Sequence, residues 1–231
     1  MKWRTIFLDA GGVLVHPDWV RVSNALAPLG LRLDPATLTT AELKAVRDLD
    51  SEDCISSTND SSRWALFFHR TLVHAGAPVT EAFLTELLDE LRRTHERDNL
   101  WAAVFEEVPR ALARLRARGH KLVVVSNSNG TVRAKLERVG LAGQFDLVID
   151  SHEERVEKPD PEIFRIALER SGSDAETTLH VGDIYHVDVV GARAAGLQAI
   201  LVDRGDLHDD RDCVRVADLT ELADLLDRDL P

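Results

Sequence analysis

Four short segments of the chain carry residues whose types could do chemistry together: Asp9-Ala10-Gly11-Gly12-Val13, Ser126-Asn127-Ser128, Lys158-Pro159 and Gly182-Asp183-Ile184-Tyr185-His186-Val187-Asp188. A carboxylate beside glycines can approach a phosphorus or carbon centre closely. Its attack splits a hydrolysis into two displacements through a covalent aspartyl intermediate, and Asp9 suits that role. An anionic nucleophile meeting an anionic phosphoryl group is repelled unless cations offset the charge. Lys158 is one such cation, and a Mg²⁺ ion, which takes hard oxygen ligands and keeps several waters, could be the other. Ser126 and the main-chain N–H of Asn127 could hold a non-bridging phosphoryl oxygen.

These residues need elements to position them. Residues 4–8 form a short apolar run stopped by Asp9-Ala10-Gly11-Gly12, so a buried strand is expected to deliver Asp9 at its carboxyl end. Val108, Leu112 and Leu115 follow helical spacing up to Gly119, and the apolar run 121–125 reads as the next strand. The alternation continues with strands over 145–149, 178–181 and 197–202 and helices over 161–170, 187–195 and 219–226. Strands alternating with helices predict a doubly wound α/β fold, with a parallel sheet covered on both faces. Ligands of such folds sit at the carboxyl ends of the strands, where Asp9, Ser126-Asn127, Lys158 and Asp183 all fall.

Between about residues 15 and 98 the alternation stops and the pattern is helical, so an inserted helical domain is expected there, with 1–14 and 99–231 forming the α/β core. Asp34-Pro35 reads as an N-cap with proline in the first turn, residues 63–73 as an apolar-faced helix, and Thr80 as the start of a long helix. His16-Pro17 and Asp98-Asn99 are expected as hinges, with Trp19 and Trp101 packing between the domains and Trp64, Phe67 and Phe68 in the core of the insert.

Taken in order, each after a predicted strand, the four segments resemble the signature motifs of the haloacid dehalogenase-like superfamily, and the helical insert is similar to that superfamily's cap. The resemblance covers nearly the whole chain. It implies a Rossmann-like core, Asp9 as nucleophile, and a Mg²⁺ ion held by Asp9, the carbonyl of Gly11 and Asp183, with Asp188 supporting the metal or Lys158. It also implies a mobile cap that closes over a small phosphorylated substrate, excluding water from the first displacement and admitting it for the second.

One position departs from the pattern. The superfamily's phosphatases usually carry a second aspartate two residues after the nucleophile, which protonates the leaving alcohol; this chain has Gly11. General acid–base help is typically worth ~10²–10⁴ in rate. The substrate therefore has a good leaving group, another residue donates the proton (His16 and His186 are nearest in sequence), or hydrolysis is slow. Rival readings are cleavage of a carbon–halogen bond, cleavage of a carbon–phosphorus bond with a Schiff base at Lys44, and a phosphate-ligand binder that turns over weakly. Gly182-Asp183 with Asp188 resembles a metal site, which disfavours the halogen chemistry.

Composition sets the outer limits. Across 231 residues the formal net charge is −12, which disfavours a nucleic-acid partner needing a basic face. No apolar run is long enough for a membrane span, and the first residues lack a secretory pattern. Cys54 and Cys213 need no partner in a reducing compartment, so a cytoplasmic protein is expected. The stretch 206–212 reads as a solvated acidic loop, and 152–154 as residues bordering the site. The sequence leaves both the substrate and the oligomeric state open.

Overall fold

The computed structural model describes residues 2–228. β1 (Thr5–Leu8) is followed by β2 (Val15–Pro17), by the helices α1 (Trp19–Leu26), α2 (Pro35–Leu49), α3 (Glu52–Ser57), α4 (Asp60–His74) and α5 (Glu81–Asp98), and by β3 (Trp101–Val104). Then come α6 (Val108–Ala117), β4 (Lys121–Ser126), α7 (Val132–Arg138), β5 (Leu147–Asp150), α8 (Ser151–Glu154), α9 (Pro161–Ser171) and β6 (Thr178–Gly182). A π-helical turn over Tyr185–Val189 leads into α10 (Val190–Ala194), β7 (Gln198–Val202), β8 (Val214–Val216) and α11 (Leu219–Arg228). By its contacts the chain forms two compact units: residues up to His16 with those from Val104 onward, and Pro17–Ala103.

The first unit is a doubly wound α/β fold. Its sheet runs β5-β4-β1-β6-β7-β8, with every neighbouring pair parallel. The strands read as near-continuous apolar runs because helices flank the sheet: all of β1 is buried, as are residues 122–126 of β4. Phe7, Val123, Val125 and Ile149 from the strands pack with Ile163, Phe164 and Ala167 of α9 and Ala192 of α10. The chain first builds the sheet outward from β1 through β4 to β5, then returns to the other side of β1 with β6. The order therefore reverses at β1, and the crevice expected of such a fold opens at the carboxyl ends of β4, β1 and β6. Leu8 pairs in register with both Val124 and Val181, which brings Asp9, Ser126 and Asp183 to the same end of the sheet.

The second unit, Pro17–Ala103, is helical with an aromatic-rich core. Its helices begin where capping side chains satisfy the first N–H groups, a contribution of about 1 kcal/mol each. Asp34 accepts from Ala36 N–H ahead of Pro35, and Asn59 and Ser62 form a capping box for α4. Trp19, Phe67 and Phe68 are buried together; Trp101 lies 5.5 Å from Phe68, and Trp64 4.7 Å from it, between ring centroids. Trp19 and Trp101 thus pack into the helical unit's own core, where the sequence reading had them between domains. The aromatic faces of α4 draw them in, and the Trp19 indole N–H donates to the buried Glu42 carboxylate at 2.8 Å.

Several elements lie outside the expected pattern. β2, β3 and β8 are three or four residues long, too short for alternation to register; α8 has four residues and α7 seven. The expected helix over 187–195 is divided, with the wider turn over Tyr185–Val189 preceding α10. Cys54 and Cys213 form no disulfide.

Candidate active site

Asp9 stands one residue beyond β1, its N–H donating to the carbonyl of Val181 at 2.9 Å, so the sheet itself fixes its backbone. The chain then turns tightly: Leu14 and Val15 N–H both donate to the Ala10 carbonyl, and Gly11 bridges to Val15. Gly12 makes this turn with φ of +69°, and a β-carbon there would fall 1.9 Å from Asp183 Oδ2. A glycine is thus required twice over, for the backbone conformation and for the approach of Asp183. Gly11 lies outside the positive-φ set, so its backbone does not exclude a side chain.

Lys158 crosses the site from the loop before α9, its side chain 1% exposed. Its Nζ lies 2.9 Å from Asp9 Oδ1 and 2.7 Å from Asp188 Oδ1. The Lys158 backbone is gripped by the Asn127 side chain, whose Oδ1 accepts from Lys158 N–H at 2.8 Å and whose Nδ2 donates to the Lys158 carbonyl at 2.9 Å. Asp188 reaches inward from the π-helical turn. It can do so because Gly182 has no side chain: a β-carbon there would meet Asp188 Cγ at 2.0 Å. Asp188 Oδ2 accepts Ile184 N–H at 3.1 Å, and its Oδ1 also accepts from His180 Nε2 at 2.9 Å. Asp188 is therefore not the cap of the following helix; the extra residue of the π turn aims it back at the lysine, a use such turns often serve at functional sites.

Charge is crowded here. Burial pushes the Asp9 carboxyl above its ordinary value against the pull of Lys158, and the nearby Asp188 charge adds to the rise. Burial alone would lower Lys158, but the Asp188 and Asp9 carboxylates outweigh it and hold the ammonium firmly charged. Burial would likewise raise Asp188, yet Lys158 and His180 bring it well below the carboxylate range. One ammonium between two carboxylates leaves a net negative charge, and Asp183 adds to it. Ligand oxygens of Asp9, Asp183 and Asp188 all lie within 4.8 Å of one another, a hard-donor set that suits a divalent cation such as Mg²⁺.

Ser126 ends β4, buried, with its hydroxyl 3.3 Å from the Asn127 carbonyl. The loop after it is shaped by β5: the Asp150 carboxylate accepts N–H groups of Gly130, Val132 and His152, and Ser151 Oγ accepts from Ser128 N–H. The sequence reading passed over Asp150, the Asn127 side chain and His180. Asp150 bears the same signal as Asp9, an aspartate ending an apolar run; the other two offer no signal apart from their neighbours. His16 stacks on Phe105 with ring centroids 4.5 Å apart, His186 stands edge-on to Tyr185, and Lys44 is exposed on α2.

Residues 3–196 match the haloacid dehalogenase-like hydrolase family. The chain belongs to that family. Among curated relatives it is 38% identical over 160 residues to phosphoserine phosphatase of Thermus thermophilus, covering 67% of this chain and 61% of that one. It is 38% identical over 128 residues to haloacid dehalogenase-like hydrolase domain-containing protein 3 of Mus musculus, covering 55% of this chain and about half, 50%, of the relative. The HAD-hydrolase YfnB of Bacillus subtilis, solved bound to magnesium, shares the fold at a TM-score of 0.70 and 20% identity, covering 98% of this chain and 99% of that one. A 2-haloacid dehalogenase of Pseudomonas syringae is similar at a TM-score of 0.61 and 25% identity over 98% of this chain and 99% of that one. No helix among the described residues is long and apolar enough to cross a membrane.

Proposed function

We propose that this chain is a Mg²⁺-dependent phosphohydrolase acting on a small phosphorylated substrate, with Asp9 as nucleophile. The observation that carries the reading is the buried lysine shared by two carboxylates, with Lys158 Nζ 2.9 Å from Asp9 Oδ1. That ammonium keeps a partly buried carboxylate available as an anion and offsets the charge of an arriving phosphoryl group. Asp9 and Asp183 are the side chains that would hold Mg²⁺, with the Gly11 carbonyl; Asp188, whose oxygens already accept from Lys158, His180 and Ile184, chiefly serves the lysine. Bound there, the cation would supply further charge neutralisation at the phosphoryl oxygens.

In the first displacement an Asp9 carboxylate oxygen forms a bond to phosphorus as the bond to the leaving oxygen breaks, and that oxygen departs with the electron pair. In the second, water adds to phosphorus, its proton passes to solvent, and the Asp9–phosphorus link breaks to return the carboxylate and inorganic phosphate. Ser126 and the Asn127 N–H receive a non-bridging oxygen. Gly11 offers no proton to the leaving group, so acyl phosphates and other good leaving groups are the favoured substrates. Relatives named as phosphatases, including ribulose-1,5-bisphosphate 5-phosphatase of Halopiger xanaduensis, 36% identical over 152 residues, support the phosphoryl chemistry. The two cysteines without a disulfide support a cytoplasmic setting.

A leaving-group series tests this reading. Acetyl phosphate and p-nitrophenyl phosphate should be hydrolysed with Mg²⁺ and not with EDTA, and alkyl phosphates ~10²–10⁴-fold more slowly. Gly11→Asp should narrow that gap. Equal rates for alkyl phosphates in the natural protein would show that another residue donates the proton. The absent second carboxylate is also what carbon–halogen chemistry would permit, and halide release from 2-haloacids with no phosphate release would replace the phosphatase reading with that one.

A further inference from the structure

His180 lies on β6, wholly buried, one strand away from the nucleophile's own strand and paired in register with Phe7. It stands edge-on to Phe164 with ring centroids 4.9 Å apart. Its neighbours Leu179 and Val181 are buried apolar residues, as a strand in the middle of a parallel sheet demands. An imidazole is an unfavourable choice there, because its Nδ1 is buried with no hydrogen-bond partner among the described residues. An apolar side chain would fill the place without that cost, so packing does not account for the histidine.

Its other nitrogen does. Nε2 lies 2.9 Å from Asp188 Oδ1, the same oxygen that accepts from Lys158 Nζ at 2.7 Å. A carboxylate that Lys158 holds in its charged form can only accept, so Nε2 carries the proton and donates. Burial keeps the ring below the ordinary imidazole range, which agrees with a neutral ring protonated on Nε2 alone. The Asp188 carboxylate is thus fixed on both sides, by Ile184 N–H on Oδ2 and by His180 on Oδ1. A continuous line of contacts then runs His180, Asp188, Lys158, Asp9.

We propose that His180 is a positioning residue whose Nε2–H locks the Asp188 carboxylate in the orientation that holds Lys158 against the nucleophile. The inference rests on the reading of Asp9 and Lys158 as the reacting pair. Without this donor the Asp188 carboxylate is held by Ile184 N–H and Lys158 alone, so the oxygen that anchors the lysine beside Asp9 is no longer fixed from its far side. Partners that orient an active-site group in this way commonly change activity by ~10–100-fold when removed.

Three substitutions separate positioning from packing. Gln can place an amide N–H near the Nε2 site, Asn reaches only toward the Nδ1 site, and Leu fills the volume without a donor. With acetyl phosphate and Mg²⁺, His180→Leu and His180→Asn should lower kcat ~10–100-fold with little change in KM, and His180→Gln should recover most of the loss. Crystal structures of the variants give a readout independent of turnover: the 2.7 Å contact between Lys158 and Asp188 Oδ1 should be lost in the Leu and Asn variants and kept in the Gln variant. Leu and Gln variants that fall equally, or a Leu variant with unchanged turnover and an unmoved Asp188, would overturn the proposal. If the natural protein releases no phosphate from any substrate, the phosphatase reading fails by itself, and the Asp188 geometry still decides the role of His180.

Discussion

The helical unit and the carboxyl end of the sheet both bury polar groups, but they hold them differently. In the helical unit the buried Glu42 receives the Trp19 indole within a bed of aromatic and aliphatic side chains that would exist without it. At the sheet end Asp9, Lys158, Asp188 and His180 are themselves the interior, each charge placed by the next and the backbone of the loops placed by Asn127 and Asp150. The first arrangement derives most of its stability from apolar area. The second is a network in which one missing member leaves a buried charge uncompensated.

That contrast orders the expected effects of substitution. Lys158→Met removes the ammonium held between the buried Asp188 and the partly buried Asp9 carboxylates and should cost about 3–5 kcal/mol of stability in EDTA, measured by urea unfolding, together with phosphate release. A stability within error of the natural protein would mean that the network is not held together by charge. Phe68→Ala, in the helical unit, should cost a comparable or slightly smaller amount, about 3–4 kcal/mol, by emptying a fully buried aromatic site. Three of the four tryptophans, Trp19, Trp64 and Trp101, lie in this unit, so tryptophan fluorescence is weighted toward its unfolding. A loss under ~1 kcal/mol would show that the aromatic core can collapse around the gap.

A smaller effect is expected just past β7, where Asp203 ties down the loop leading to β8. Its carboxylate accepts from Leu207 N–H, from both the backbone N–H and the ring of His208, and from Arg215. Burial would raise this carboxyl, but His208, the Leu207 N–H and Arg215 outweigh it and hold it down at about 2. A carboxyl depressed in the folded state adds stability above its unfolded value and loses it as the pH falls through the folded one. Asp203 should therefore contribute about 2 kcal/mol at neutral pH, fading between about pH 4 and pH 2. Asp203→Asn should lower stability at pH 7 and flatten its decline over that acid range; a variant that keeps the full acid slope would locate the slope in other carboxylates.

What the sequence made legible follows the same division. The strand-helix alternation disclosed the sheet, because a buried parallel strand reads as an apolar run and its end as a sudden change to polar residues, and the polar clusters singled out Asp9, Lys158, Asp183 and Asp188, which the structure brings together. The supporting residues were not legible. His180 sits inside such a run, and the work of Asn127 is done by its side chain on a backbone 31 residues away. The acidic stretch 206–212 reads as a solvated loop and its aspartates are exposed, with Asp206 pairing with Arg215 and Asp212 receiving Tyr185 and Arg193 at the surface. Helix caps at Asp34 and Asn59 are local in sequence, and Asp34 was visible for that reason.

The central claim is a covalent bond between Asp9 and phosphorus. The most direct test is to mix the protein with isotopically labelled acetyl phosphate and Mg²⁺, quench in acid, reduce with borohydride and map the modified peptide. The account predicts that the reduced residue is at position 9 and that Asp9→Asn, folded by circular dichroism, shows neither label nor phosphate release, the latter falling by at least ~10³-fold. Undiminished turnover in that variant, or modification at any other residue, would contradict it.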